Sequence, residues 1–153
     1  MKMMAVLVLG LAVAGCAGNK YDVNAAGTTA KPGSPQDFAV NVGDRVFFET
    51  DSTDLTARGK ATLDLQAQWL AKYPSYNFVV EGHADERGTR EYNIALGARR
   101  SAAARSYLVA RGVNAGRMST ISYGKERPVA VCNDISCWSQ NRRAVTTLKG
   151  PGS

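Results

Sequence analysis

The sequence predicts an α/β sandwich in which two main helices pack on a four-stranded mixed sheet, in the order βαβαββ. The chain has 153 residues and is 44% hydrophobic, which suits one modest globular domain. Short apolar runs of strand-forming residues alternate with two longer segments of helical periodicity. Because strand-helix-strand units favour parallel crossovers, and the last two strands can pair antiparallel, the sheet should be mixed.

The first predicted strand is the apolar run at residues 46–48, which a polar turn follows. A helix is predicted from Thr56, its expected N-cap, to Tyr73, because Pro74 cannot continue it. Its apolar stripe consists of Ala61, Leu65 and Trp69 beside Leu63, Ala67 and Leu70.

The second predicted strand, residues 77–81, ends at Gly82 and leads into a polar loop at residues 83–90. A long helix follows at residues 91–111, and Gly112 is well placed to terminate it. Two further strands are predicted at residues 119–123 and 144–148. The loop between them contains a pair of cysteines.

The N-terminus has the layout of a secretory signal that ends in a lipid-attachment cysteine. Lys2 precedes an eleven-residue apolar run at residues 3–13, which is too short to span a bilayer permanently. Residues 11–16 resemble the bacterial lipobox, in which the signal is cleaved before a cysteine that becomes acylated, here Cys16. By resemblance to Gram-negative lipoproteins, Ala17 after that cysteine indicates sorting to the outer membrane.

Composition then divides the chain into a signal peptide at residues 1–15, a lipid-anchored flexible tether at 16–40 and a folded domain at 41–150. The tether is rich in Gly, Ala, Thr, Ser and Pro without sustained periodicity. The net charge of +6 by itself permits nucleic acid, anionic lipid or an acidic polymer as partner. A secreted lipoprotein does not meet chromosomal DNA, so DNA binding is excluded.

Charged and polar residues gather in the loop after the second strand and on the helix that follows. Asp85 lies in the loop, and the seven-residue spacing of Asn93 and Arg100 places both on one helix face. An arginine can donate two parallel hydrogen bonds to a carboxylate, and an aspartate can pair with an ammonium. The pattern predicts a receptor for a zwitterionic, amino-acid-like ligand.

Four ordered motifs resemble a known family: EGHADERGT at residues 81–89, EYNIALG at 91–97, SYGKERP at 122–128 and NRRAV at 141–145. The chain resembles the peptidoglycan-associated lipoproteins of the Tol-Pal system, whose fold is the OmpA-like C-terminal domain. The resemblance covers roughly residues 44–149 in addition to the lipobox.

That resemblance implies a non-enzymatic protein, without a cofactor, that binds the diaminopimelate residue of the peptidoglycan stem peptide. Asp85 and Arg100 match the residues that hold its ammonium and carboxylate ends, and Asn93 matches the polar contact on the helix face. Asp51, after the first strand, and Arg142, in the Asn-Arg-Arg motif, are further candidate contacts. Asp51 could instead cap a turn, and Arg142 could pair with a glutamate or a helix C-terminus.

The resemblance also implies an outer-membrane lipoprotein with its domain in the periplasm, which tethers the membrane to the wall and acts in cell division. TolB and TolA would be its protein partners. If TolB covers the loop that holds the wall peptide, the two ligands compete. An OmpA-like wall-binding lipoprotein outside the Tol system is the alternative within the same fold.

Cys132 and Cys137 depart from the family pattern. In an oxidising periplasm a disulfide between them is expected, with a metal pair or free thiols as alternatives. A zinc site normally needs four ligands, and His83 is the sole histidine of the chain.

Two other functions use the same residues. A metal-dependent cell-wall hydrolase could employ His83, Asp85 and Glu86, but the sequence supplies no second imidazole and marks no nucleophile. A polyanion binder is suggested by the arginines around the loop and helix, namely Arg87, Arg90, Arg99, Arg100 and Arg105. Polyanion binding would weaken steeply with salt, whereas a diaminopimelate receptor would reject lysine, which lacks the second carboxylate.

Overall fold

The computed structural model describes residues 30–150. In chain order its elements are α1 (Pro35–Asp37), a π-helix (Phe38–Gly43), β1 (Arg45–Phe47), α2 (Ala57–Lys72), β2 (Asn77–His83), α3 (Arg90–Ala110), a 3₁₀ turn (Ala115–Arg117), β3 (Met118–Gly124), α4 (Ile135–Asn141) and β4 (Arg143–Lys149). The predicted fold class, with helices on a four-stranded mixed sheet, is confirmed.

The strand order is β1-β4-β2-β3, with β3 parallel to β2 and β4 antiparallel to both of its neighbours. The last two strands therefore do not pair with each other, although they are adjacent in sequence. Instead, β4 inserts between β1 and β2. This insertion brings the start of β4 beside the end of β1, where the Phe48 amide donates to the Arg142 carbonyl at 2.9 Å.

The first long helix, α2, begins where the sequence predicts, because the Thr56 hydroxyl accepts a hydrogen bond from the Gly59 amide at 3.0 Å. The predicted apolar face of this helix is partly wrong in the residues that it includes. Ala61 and Leu65 are exposed. The buried face is Leu63, Gln66, Ala67, Trp69 and Leu70. The spacing of these buried positions follows the helical repeat, so the true stripe is centred on Leu63, Ala67 and Leu70.

The second long helix, α3, crosses the sheet with its backbone almost touching β2. A methyl group added at Gly82 would lie 1.7 Å from the carbonyl oxygen of Gly97. The helix starts at the N-cap Thr89 and is followed by Gly112, whose φ of +91° suits glycine. This close crossing places the start of α3 against the end of β2, where the predicted site residues lie.

Residues before the predicted domain boundary at residue 41 already pack into the domain. The Ser34 hydroxyl caps α1 by accepting from the Asp37 amide, and Phe38 is only 1% exposed in the core. Phe38 packs on Trp69 with ring centroids 4.9 Å apart. The composition predicts a tether here because Phe38 is a single aromatic residue in a polar stretch. The residues that it packs against lie far along the chain.

A short helix that the sequence analysis does not predict, α4, follows the loop at residues 125–134. Its N-cap is Asp134, which accepts from the Ser136 amide at 2.8 Å. Cys132 and Cys137 form a disulfide that joins the preceding loop to this helix, with their Cα atoms 5.7 Å apart. Asn141 holds the same loop, because its side chain accepts from the amides of Val129 and Ala130.

Candidate functional site

A surface cavity of about 260 Å³ lies where β2 ends, α3 begins and the loop after β1 turns back. Its lining is formed by Thr50, Asp51, Asp85, Arg87, Gly88, Tyr92, Asn93, Leu96 and Arg100. Asp51, Asp85, Asn93 and Arg100 were all predicted as contacts, and the fold brings the four to one cavity. The lining carries two carboxylates and two guanidinium groups.

Arg100 forms the floor of this cavity and is completely buried. Three of its N–H groups donate to backbone carbonyls, namely those of Ser52 at 3.0 Å, His83 at 2.9 Å and Glu49 at 3.2 Å. Among residues 30–150, no carboxylate lies within ion-pair distance of the guanidinium. Two of its five N–H groups thus remain for an anion.

Electrostatics support this interpretation of Arg100. Burial and, next, the nearby positive charge of Arg142 lower its pKa to about 10, although Asp85 and Asp51 act in the opposite direction. The group stays positively charged at neutral pH. A buried cation with incomplete compensation is stabilised by a bound carboxylate.

Asp85 is buried beside the same cavity and is surrounded by donors. Arg87 donates to it from its amide, from Nε at 3.1 Å and from Nη2 at 2.8 Å, and Arg142 donates from Nη1 at 3.3 Å. Burial raises the pKa of Asp85, but these hydrogen bonds outweigh burial and hold the pKa below its usual value. Asp85 is therefore a fixed negative charge.

Arg142, a predicted contact, does not line the cavity. Its side chain is 4% exposed and lies behind Asp85, and its Nε donates to the Phe48 carbonyl at 2.9 Å. The structure thus places Arg142 where it orients Asp85. It reaches this position because β4 inserts beside β1.

Asn93 and Asp51 both line the cavity. The amide nitrogen of Asn93 donates to the carbonyls of Arg87 and Thr89, at 2.7 and 3.0 Å, which fixes the loop that carries Asp85. Asp51 is exposed, has a φ of +53° and accepts a hydrogen bond from the Tyr92 hydroxyl. Asp51 thus takes part in a turn and also faces the cavity.

Sequence reasoning missed the role of Arg87, which it treated as one member of a basic cluster. The guanidinium of Arg87 pairs with Asp85 and stacks over the Trp138 ring at 4.0 Å from its centroid. Thr50, Gly88, Tyr92 and Leu96 were also missed. The juxtaposition of Asp85 and Arg87 in the HADERG motif is the signal that could have revealed the pair.

The structure argues against both alternative functions. His83 is 2% exposed, lies outside the cavity lining and forms no hydrogen bond through its ring, and burial lowers its pKa to about 4. It is placed for neither metal binding nor proton transfer at the cavity. The five arginines do not form one free basic face either, because Arg100 is buried and Arg90 pairs with Glu126.

Cys16, the predicted lipidation site, lies outside the described residues. Within the part of the chain that the structure describes, no helix has the length and apolarity to cross a membrane. In residues 30–150, the side chains of His, Cys, Asp and Glu form no group of three that could hold a metal ion.

Comparisons with known proteins complete the description of the site. Residues 47–142 match the model of the OmpA family. A relative from Rhizobium meliloti (strain 1021), named peptidoglycan-associated lipoprotein, is 69% identical over 156 residues, which cover 98% of this chain and 89% of the relative.

Solved structures agree with this likeness. The peptidoglycan-associated lipoprotein from Burkholderia pseudomallei is 37% identical, with a TM-score of 0.71, over 76% of this chain and 100% of that chain. The C-terminal domain of Helicobacter pylori MotB is 22% identical, with a TM-score of 0.66, over 71% of this chain and 86% of that chain. The MotB match shows a shared fold alone.

Proposed function

Because the chain belongs to the OmpA family and, within it, to the peptidoglycan-associated lipoproteins, we propose that its cavity binds the diaminopimelate residue of the peptidoglycan stem peptide. The observation that carries the proposal is the buried Arg100 guanidinium, which has two N–H groups available and no carboxylate partner among residues 30–150. A ligand carboxylate supplies that partner.

The two charged groups of the ligand pair with different residues of the cavity. The carboxylate of diaminopimelate accepts charge-assisted hydrogen bonds from Arg100, each contributing about 1.5–3 kcal/mol. The ammonium of the same residue pairs with Asp85, whose lowered pKa keeps it ionised. Lysine has the ammonium without the second carboxylate, so it leaves Arg100 unpaired.

Binding of this kind makes the protein a non-enzymatic link between the cell wall and the outer membrane. Acylated Cys16 anchors the chain in the membrane, and the segment between Cys16 and the OmpA-like domain acts as the tether. The domain works in the periplasm. This arrangement serves the Tol-Pal system in envelope integrity and cell division.

TolB is the proposed protein partner, with TolA as a second. If TolB covers the loop that carries Asp85, it competes with the wall peptide, because one small cavity cannot bury both ligands. Titration of purified TolB into the protein already saturated with wall peptide tests this competition. Simultaneous saturable binding of both ligands would refute it.

Cosedimentation with purified peptidoglycan tests wall binding. The full chain in detergent is mixed, near physiological salt, with walls that contain either diaminopimelate or lysine. We expect selective pull-down by the diaminopimelate wall, lost in Asp85→Asn and retained in Asp64→Asn. Asp64 is a suitable control because it pairs with Arg111 away from the cavity, at 2.8 Å. Equal pull-down by both walls would contradict the proposal.

A further inference from the structure

Asp85 is saturated by donors before any ligand arrives. Its Oδ1 accepts from the amide and Nε of Arg87, and its Oδ2 accepts from Nη2 of Arg87 and Nη1 of Arg142. A carboxylate has about four lone-pair positions, so these donors occupy its hydrogen-bonding capacity. An incoming ammonium must displace one of them.

The four donors differ in how easily they can leave. Arg142 is 4% exposed and is held by its bond to the Phe48 carbonyl, and the Arg87 amide is part of the backbone. The Arg87 side chain, by contrast, is 42% exposed. The movable donor is thus the Arg87 guanidinium.

Trp138 holds that guanidinium in place. The Arg87 guanidinium lies 4.0 Å from the centroid of the Trp138 ring, and the indole Nε1 donates to Glu86 at 3.2 Å. Trp138 is on α4, whose start is joined to the preceding loop by the Cys132–Cys137 disulfide. The aromatic face that Arg87 contacts is therefore held on a separate element from the loop that carries Asp85.

We propose that Arg87 is an internal competitor for the ammonium-binding position at Asp85, and that Trp138 sets the strength of this competition by stabilising Arg87 in the competing position. This inference rests on the proposed function, because it presumes a ligand with an ammonium group. Only the fraction of molecules in which Arg87 has left Asp85 offers the full site. The apparent association constant is the intrinsic one multiplied by that fraction.

The competition acts on one end of the ligand. A ligand whose ammonium is acetylated cannot pair with Asp85 and gains nothing when Arg87 leaves. Its affinity should then be independent of Trp138. Arg87 and Trp138 thus determine how strongly the cavity selects for the free ammonium.

Calorimetric titration of the full chain in detergent, at fixed ionic strength, tests this inference. The two probes are a tripeptide that ends in meso-diaminopimelate and the same peptide acetylated on the free side-chain amine. The variants are Trp138→Leu, Trp138→Phe, Arg87→Gln and the double variant Arg87→Gln/Trp138→Leu. Circular dichroism checks that each variant is folded.

Trp138→Leu should bind the free-amine peptide about two- to five-fold more tightly, the range that corresponds to one exposed cation–π contact. Trp138→Phe, which keeps an aromatic face, should bind within about two-fold of the unaltered protein. Arg87→Gln should bind at least as tightly as Trp138→Leu, and adding Trp138→Leu to it should change nothing further. Affinity for the acetylated peptide should not change.

Weaker or unchanged binding of the free-amine peptide in Trp138→Leu and Arg87→Gln would overturn the inference while leaving the proposed function intact. Independent, additive effects of the two substitutions would also overturn it, because Trp138 would then act without Arg87. If the unaltered protein binds neither peptide, the proposed function fails and this inference fails with it.

Discussion

Arg100 and Arg117 use the same bonding pattern in different surroundings: each guanidinium donates to three backbone carbonyls. Arg117 donates to the carbonyls of Leu70, in the last turn of α2, and of Tyr73 and Tyr76 just after it. Arg100 donates to carbonyls of the loop after β1 and of the end of β2, and it also forms the floor of a cavity. The two residues share a structural role, but Arg100 alone of the pair lines this cavity.

This relationship provides a matched pair of substitutions. Arg100→Lys and Arg117→Lys should each lower the free energy of unfolding by about 2–3 kcal/mol, because an ammonium cannot satisfy three carbonyls in the plane of a guanidinium. Binding of a diaminopimelate peptide should weaken at least about ten-fold in Arg100→Lys alone. Urea unfolding and calorimetry measure the two effects. An equal loss of binding in both variants would mean that Arg100 acts only through the fold.

Protonation of Asp85 should not change the affinity for the ligand between about pH 7 and pH 5. Its pKa is lowered in the folded protein, so the negative charge is present above the ordinary carboxyl range and is lost only as pH falls through the lowered value. Arg87→Gln removes donors that lower this pKa, so the acidic decline in affinity should begin at higher pH. Titrations at several pH values would show whether the decline moves.

The free energy of unfolding should fall as pH is lowered from about 6.5 to about 4. Burial lowers the pKa of His83 to about 4, so in this window the unfolded chain binds a proton that the folded chain excludes. One such group contributes at most about 1.4 kcal/mol per pH unit. His83→Phe should have a flatter profile over this window than the unaltered protein. Identical slopes would show that His83 is not the group responsible.

Gly82→Ala should be severely destabilising, by about 3 kcal/mol or more. Its methyl group would collide with the backbone carbonyl of Gly97, which cannot move without displacing α3 from the sheet. Gly59→Ala is a control, because the nearest atom there is the Thr56 hydroxyl at 3.3 Å and alanine favours the helix. Thermal unfolding should distinguish a large loss in the first variant from a small change in the second.

Local sequence signals predicted the two long helices and the four strands well. Thr56 capped α2 as expected, Gly112 followed α3, and the strand positions agreed within a few residues. Such signals act over a few positions, through capping hydrogen bonds and backbone conformation. The charge types at Asp85 and Arg100, together with the motifs around them, identified two residues of the cavity.

Long-range relationships were harder to predict. Neither the insertion of β4 between β1 and β2 nor the burial of Phe38 against Trp69 follows from neighbouring residues, since each joins segments far apart in sequence. The same holds for the Arg87–Trp138 contact, which depends on the unpredicted helix α4. The position of Arg142 behind Asp85 likewise required the strand order.

A crystal structure of the protein bound to a tripeptide that ends in meso-diaminopimelate would test the proposed recognition most directly. The predicted result is a ligand carboxylate within about 3 Å of the Arg100 guanidinium and the ligand ammonium at a similar distance from Asp85. A peptide bound with Arg100 and Asp85 free of both groups would contradict it. So would occupation of the separate groove between the π-helix and α2, which Val40, Phe47 and Arg58 help to line.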